Sequence, residues 1–220
     1  VDELLDCDDA YAAMASGAGN SLFEVWGTSP TNVFAVGTGG TILRFDGTNW
    51  TSMTSGTTNH LYGVWGTSPT NVFAVGLGGT VLRFDGATWT AMTSGTTQQL
   101  QAVWGTSSAN VYAVGDNGTV IHFDGSTWSS MTSGTAQSLY AVWGTSPTNV
   151  FAVGATGTIL KWDGTSWTAQ TSGTSQVLYA VWGTSPTNVY AVGIAGTVQR
   201  WNGATWAPMA SGTANPIFGR

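Results

Sequence analysis

The chain has 220 residues, of which 7% are charged and 42% are hydrophobic. So few charges cannot cover solvated helix faces, which excludes a mainly helical fold, and the apolar fraction excludes wholesale disorder. The net charge of −6 lacks the basic footprint of a nucleic-acid binder, and no apolar run is long enough to span a membrane.

Residues 1–10 read as an acidic leader or linker. Asp2, Glu3, Asp6, Asp8 and Asp9 crowd there, while six acids and five bases leave the remaining chain near neutral. Cys7 is the single cysteine, so no disulfide can form within the chain. In an exported protein it would point to a bond with another chain. The chain opens on Val1 rather than Met, as expected of a processed or excised piece, and Asp6 stands where a lipidation site has a small residue. Residues 11–17, Tyr-Ala-Ala-Met-Ala-Ser-Gly, match Trp50 to Gly56 in register.

From Leu22 onward the sequence is a repeat of 39 residues, marked by Trp26, Trp65, Trp104, Trp143 and Trp182. A second series has the same spacing: Trp50, Trp89, Trp128, Trp167 and Trp206. The units are 22–60, 61–99, 100–138, 139–177 and 178–216, and the first two agree at 30 of 39 positions. In the second unit the first predicted strand is Leu61 to Trp65, followed by a Gly-Thr-Ser-Pro-Thr-Asn turn. The second strand is Val72 to Val75. A Gly-rich hairpin from Gly76 to Gly79 leads into the third, Thr80 to Phe84. Asp85-Gly86 opens the next hairpin, and Trp89 to Met92 is the fourth strand.

Four short antiparallel strands per repeat, five times over, predict an all-β, five-bladed β-propeller occupying 11–220 as a single domain. Both faces of a blade pack on neighbours, which explains nearly continuous apolar strands. Closure has two readings. Residues 11–17 serve as the outer strand of blade five in place of 206–212, a Velcro closure, or they are the remnant of a blade upstream.

The segments Val36-Gly37-Thr-Gly-Gly-Thr-Ile-Leu43 and Phe45-Asp46-Gly47-Thr-Asn-Trp50 resemble bacterial propellers with BNR (Asp-box) or photosystem-assembly-factor-like repeats. The resemblance covers residues 22–216. It departs from the Asp-box in placing Asp and Gly side by side. Blade count alone is similar to that of five-bladed animal lectins such as tachylectin-2. The resemblance implies a bacterial protein, secreted or at the cell surface.

The residue inventory speaks against catalysis, metal and cofactor. His60 and His122 occupy non-equivalent positions without metal-ligand spacing. Glu24 is the only carboxylate on an inner strand, where its equivalents are Gly63, Ala102, Ala141 and Ala180, so paired catalytic carboxylates are missing. Arg44, Arg83, His122, Lys161 and Arg200 share one third-strand position, followed two residues later by Asp46, Asp85, Asp124, Asp163 and Asn202. An ion pair, or a long side chain covering an apolar edge, accounts for that pattern.

Trp26 and its mates are expected in the core between blades. Trp50, Trp89, Trp128, Trp167 and Trp206 are expected nearer the rim, where packing or sugar stacking are both open. Asp46, Asp85, Asp124 and Asp163 would supply acceptors beside them. The main expectation is therefore a multivalent, glycan-binding module, non-enzymatic and monomeric. Its alternatives are a protein-interaction scaffold and a structural repeat segment of a larger secreted protein. A scaffold would use the face on which the repeats differ, formed by Thr38-Gly39, Leu77-Gly78, Asp116-Asn117, Ala155-Thr156 and Ile194-Ala195 together with the links between blades.

Overall fold

A computed structural model describes residues 19–218. The fold is a five-bladed β-propeller, five sheets of four antiparallel strands in sequence order within each sheet. Blade one contains β1 (Leu22–Ser29), β2 (Asn32–Gly37), β3 (Ile42–Phe45) and β4 (Trp50–Met53). Blade two contains β5 (Leu61–Ser68), β6 (Asn71–Gly76), β7 (Val81–Phe84) and β8 (Trp89–Met92). Blade three contains β9 (Leu100–Ser107), β10 (Asn110–Gly115), β11 (Val120–Phe123) and β12 (Trp128–Met131). Blade four contains β13 (Leu139–Ser146), β14 (Asn149–Gly154), β15 (Ile159–Trp162) and β16 (Trp167–Gln170). Blade five contains β17 (Leu178–Ser185), β18 (Asn188–Gly193), β19 (Val198–Trp201) and β20 (Trp206–Pro208).

The first hairpin is tighter than its sequence suggests. Pairing continues to Ser68 opposite Asn71, which leaves Pro69 and Thr70 as the turn. Two irregularities make room for it, one between Leu61 and Gly63 and one between Gly66 and Ser68. They recur in every blade. The second hairpin is a three-residue 3-10 turn, Leu77–Gly79 in blade two. Its middle position has positive φ, and in the last three blades Asn117, Thr156 and Ala195 hold it at φ of 52–53° without glycine.

Blade five is completed by its own C-terminal strand. Trp201 pairs with Trp206 and Gln199 with Pro208, and the Met209 N–H donates to the Val198 carbonyl at 2.9 Å. The seat that a Velcro strand would take is therefore filled by 206–209. The matching copy at 11–17 lies outside the described residues.

Alternation along β2-type strands gives each blade two apolar faces. In blade two, Val72 and Ala74 face blade one while Phe73 and Val75 face blade three. The core is accordingly divided into four clusters, one between each pair of consecutive blades. Among the described residues no fifth cluster joins blade five to blade one. Val25, on the leading face of blade one, is 61% exposed, whereas its equivalents Val64, Val103, Val142 and Val181 are 3–7% exposed.

Candidate functional site

The outer tryptophans belong to the packing. Trp89, Trp128, Trp167 and Trp206 are more than nine-tenths buried, and Trp50, with no blade in front of it among the described residues, is half-buried. Trp89 stands edge-on to Phe34 of the preceding blade, 6.0 Å between centroids at 84°, and leans on Phe84 of its own blade. Trp128, Trp167 and Trp206 repeat this geometry on Phe73, Tyr112 and Phe151. Their four indole N–H groups are buried without a conventional acceptor. Shallow clefts do reach two of these rings, one lined by Arg44, Thr51, Met53, Thr88 and Trp89, the other by Met131, Trp162, Ser166 and Trp167. Little ring surface is left there for a sugar to cover.

The hairpin carboxylates are also engaged. Asp46 Oδ1 accepts the backbone N–H groups of Thr48 and Asn49 at 2.8 Å. Asp85, Asp124 and Asp163 hold their turns in the same way. These backbone donors stabilise the ionised form and lower each carboxyl pKa. Asn202 accepts the two equivalent donors, Ala204 and Thr205, at 2.9 Å, so an amide oxygen can also hold this turn.

The third-strand bases do not pair with those acids. Arg44 donates to Asn32 Oδ1 at 3.0 and 3.2 Å, Arg83 to Asn71 at 3.0 Å and Arg200 to Asn188 at 3.0 Å. Each guanidinium lies over the aromatic ring of the adjacent strand, Phe34, Phe73 or Tyr190, at 5.5–5.9 Å. In blade three His122 Nε2 is 2.7 Å from Asn110 Oδ1, and burial lowers its pKa, opposed by Asp124. In these four blades the position clamps the first hairpin to the third strand, while in blade four Lys161 Nζ lies over Phe151 and Trp201.

Glu24 is committed as well. Its Oε2 accepts the Val64 backbone N–H at 2.7 Å, tying blade one to blade two. His60 Nδ1 accepts the Gly39 N–H at 2.9 Å, so this imidazole fastens a link to a 3-10 turn.

The inner tryptophans meet their expectation in part, four of them packing between blades at the margins of the clusters. Trp26, Trp65, Trp104 and Trp143 are half-buried and Trp182 is exposed. Each of the first four lays its outer ring edge on a glycine of the next blade. A Cβ built on Gly66 would lie 2.8 Å from Trp26 Cη2. These indoles pack against the margins of the inter-blade clusters and cover backbone of the next blade.

What remains is a group of rings that sequence reasoning passed over. Phe23, Tyr62, Tyr140, Tyr179 and Phe218 fall at one repeat position, with Gln101 in the third unit. In each of the five blades this is the second residue of the inner strand, at the irregularity that follows the leading leucine. A bulge leaves its extra residue unpaired and re-aims its side chain. The rings meet from blade to blade: Phe23 to Tyr62 at 5.1 Å, Tyr140 to Tyr179 at 5.8 Å, Tyr179 to Phe218 at 5.2 Å. His60 joins at 6.2 Å from Tyr62. They stand where the inner strands emerge beside the 3-10 turns and the inter-blade links, on the face where the repeats differ. Gln101 interrupts the row and donates to Asp116 Oδ1 at 3.1 Å.

No family model matches this sequence, and no curated protein matches it. Solved structures do share the fold. A YCF48 protein bound to a D1 peptide superposes with a TM-score of 0.67 at 14% identity, covering 87% of this chain and 67% of that one. YCF48 from Cyanidioschyzon merolae gives 0.69 at 16% identity, covering 89% and 74%. The C-terminal WD40 domain of Sif2 gives 0.66 at 13% identity, covering 84% of this chain and 55% of that one. The class defined by fold and comparison is the β-propeller. The Asp-box resemblance gains nothing from these neighbours.

Proposed function

We propose that the chain is a non-enzymatic protein-interaction module that binds one extended apolar peptide segment across the aromatic row Phe23, Tyr62, Tyr140 and Tyr179. The carrying observation is that these rings gather at one mouth of the propeller, beside the loops that differ most between blades. Rigid aromatic anchors with a variable polar surround are the composition of interaction hot spots. A peptide on a structurally similar propeller supports the reading. The glycan reading loses its motive, because the outer indoles are spent on packing and the hairpin carboxylates on their own turns.

The test is a display of short random peptides on the immobilised chain, with affinities of the enriched sequences measured by calorimetry. Tyr62→Ala with Tyr179→Ala should weaken binding about tenfold or more, the scale of lost hot-spot residues, without moving the melting temperature. Binding to a glycan array, undiminished in that double variant, would overturn the proposal.

A further inference from the structure

Every internal junction of the propeller seats an indole on a glycine. Trp26 covers Gly66, Trp65 covers Gly105, Trp104 covers Gly144 and Trp143 covers Gly183. Around each pair lies the same apolar contact: leucine and valine of one inner strand against the β2-type and β3-type side chains of the blade before it. One pair is left unmatched. Among the described residues Trp182 has no glycine beneath it and is 59% exposed, and Gly27 is the exposed member of its series. Leu22 and Val25 surround Gly27 on β1; Tyr190, Val192 and Val198 accompany Trp182 in blade five, all less buried than Phe34, Val36 and Ile42, their equivalents in blade one. Among the described residues, every exposed large hydrophobic except Leu77 lies in β1 or in blade five and its tail. Monomer surfaces seldom leave so concentrated an apolar area uncovered.

These two faces are the two halves of one interface, which the chain itself forms four times. We propose that the chain associates with a second copy of itself head to tail, blade five of one protomer receiving blade one of its partner. Trp182 then lies on the partner's Gly27 as Trp26 lies on Gly66. The contact is heterologous, so two copies either close a ring through two identical junctions or grow further. Ile217 and Phe218 sit at the edge of this face. The Ile217 N–H donates to the Gly193 carbonyl at 2.9 Å and Phe218 rests on Tyr179. They occupy the places that a partner's Leu22 and Phe23 would take by the repeat, and so compete with docking. This proposal departs from the monomer expected from sequence.

Sedimentation velocity across a wide concentration range tests it on the full chain. The wild type should associate as concentration rises. Val25→Asp and Trp182→Asp should each remain monomeric, with unchanged melting temperature at dilution, because both side chains already face solvent in the isolated protomer. Mixed, the two variants should form a 1:1 pair and nothing larger, since the Val25→Asp copy keeps an intact blade-five face and the Trp182→Asp copy an intact blade-one face. A chain ending at Pro216 should associate several-fold more tightly. A wild type that stays monomeric at every concentration overturns the proposal; blue-shifted Trp182 emission in that monomer would assign the faces to ring closure within one chain. Failure of the mixed variants to pair, or weaker association on truncation, overturns it as well.

Discussion

Replacing Trp89 by alanine separates packing from ligand stacking. The ring is 8% exposed and belongs to the cluster between blades one and two. A tryptophan of about 200 Å² removed from water contributes about 5 kcal/mol at ~25 cal/mol/Å². Its indole N–H is buried without a partner, which offsets about 1–3 kcal/mol. The substitution should therefore cost about 3 kcal/mol, at the low end of the usual range for Trp→Ala. In a repeat array the loss falls on one interface, so hydrogen exchange should rise first in β1 to β4. Equilibrium urea unfolding followed by circular dichroism measures the total. Two controls sharpen it. Trp89→Phe keeps a ring against Phe34 and removes the orphaned donor, so it should cost less than about 1 kcal/mol. Trp182→Ala, at an exposed site, should stay within about 0.5 kcal/mol at dilution. A Trp89→Ala cost below about 1 kcal/mol would refute the core assignment and restore the ring to a binding role.

Gly105→Ala should destabilise by about 1–3 kcal/mol, as overpacking does, because its Cβ would meet the Asn110 carbonyl at 2.6 Å and Trp65 Cη2 at 2.8 Å. Gly95→Ala meets no atom within 4 Å and carries only the strain of φ +75°, about 1–2 kcal/mol; equal melting shifts for both with no change in indole emission would refute the Trp65 contact. Asp85→Asn should keep the turn, as Asn202 does, and lower the melting temperature only slightly through loss of the charge, while Asp85→Ala should lower it further by releasing two N–H donors. The four hairpin carboxyls have lowered folded-state pKa values, so their stabilisation is complete above the unfolded value of about 3.9 and is lost as pH falls through the folded values. Carboxyl chemical shifts titrated by NMR should show midpoints below that value. His122, with a lowered pKa from burial, costs stability once pH drops below about 6.5; the wild type should lose more between neutral and mildly acid pH than His122→Gln does. Gln101→Tyr should fill the gap in the aromatic row and tighten peptide binding several-fold, read by calorimetry.

The repeat carried the architecture because its spacing is set by covalent length and its turns by backbone chemistry. Trp-to-Trp distance defined the blade, and Asp-Gly and Pro-Thr marked the turns. The two tryptophan series share the packing unequally, however: the outer rings are enclosed and the inner ones lie at the cluster margins. Aromatic area predicts burial for both series, and position within a strand does not say which one enters the core. The deciding feature is the residue opposite. Trp26 meets Gly66 of the next blade, whose missing side chain lets the indole lie flat over backbone at the sheet edge. Trp89 meets Phe34 and Phe84, which enclose it. Gly66 lies 40 residues from Trp26 and Phe34 lies 55 from Trp89, so only Phe84 among these partners is near in sequence.

The aromatic row was hidden for a different reason. Strict alternation from Leu61 would send Tyr62 to the opposite side of the sheet from Leu61 and Gly63. The irregularity between Leu61 and Gly63 breaks that parity in all five blades and leaves Tyr62 and its equivalents as the extra residue. No side chain announces such a bulge, since leucine before it and glycine, alanine or Glu24 after it fit an ordinary strand. The readable signal was the recurrence itself. An aromatic residue recurs at positions 23, 62, 140, 179 and 218, with Gln101 the exception, amid repeats whose neighbouring loops vary. Packing accounts for the invariant tryptophans and hairpin acids, whereas the rings at the mouth stack on one another beside the most variable loops, which is the arrangement the proposed peptide site rests on.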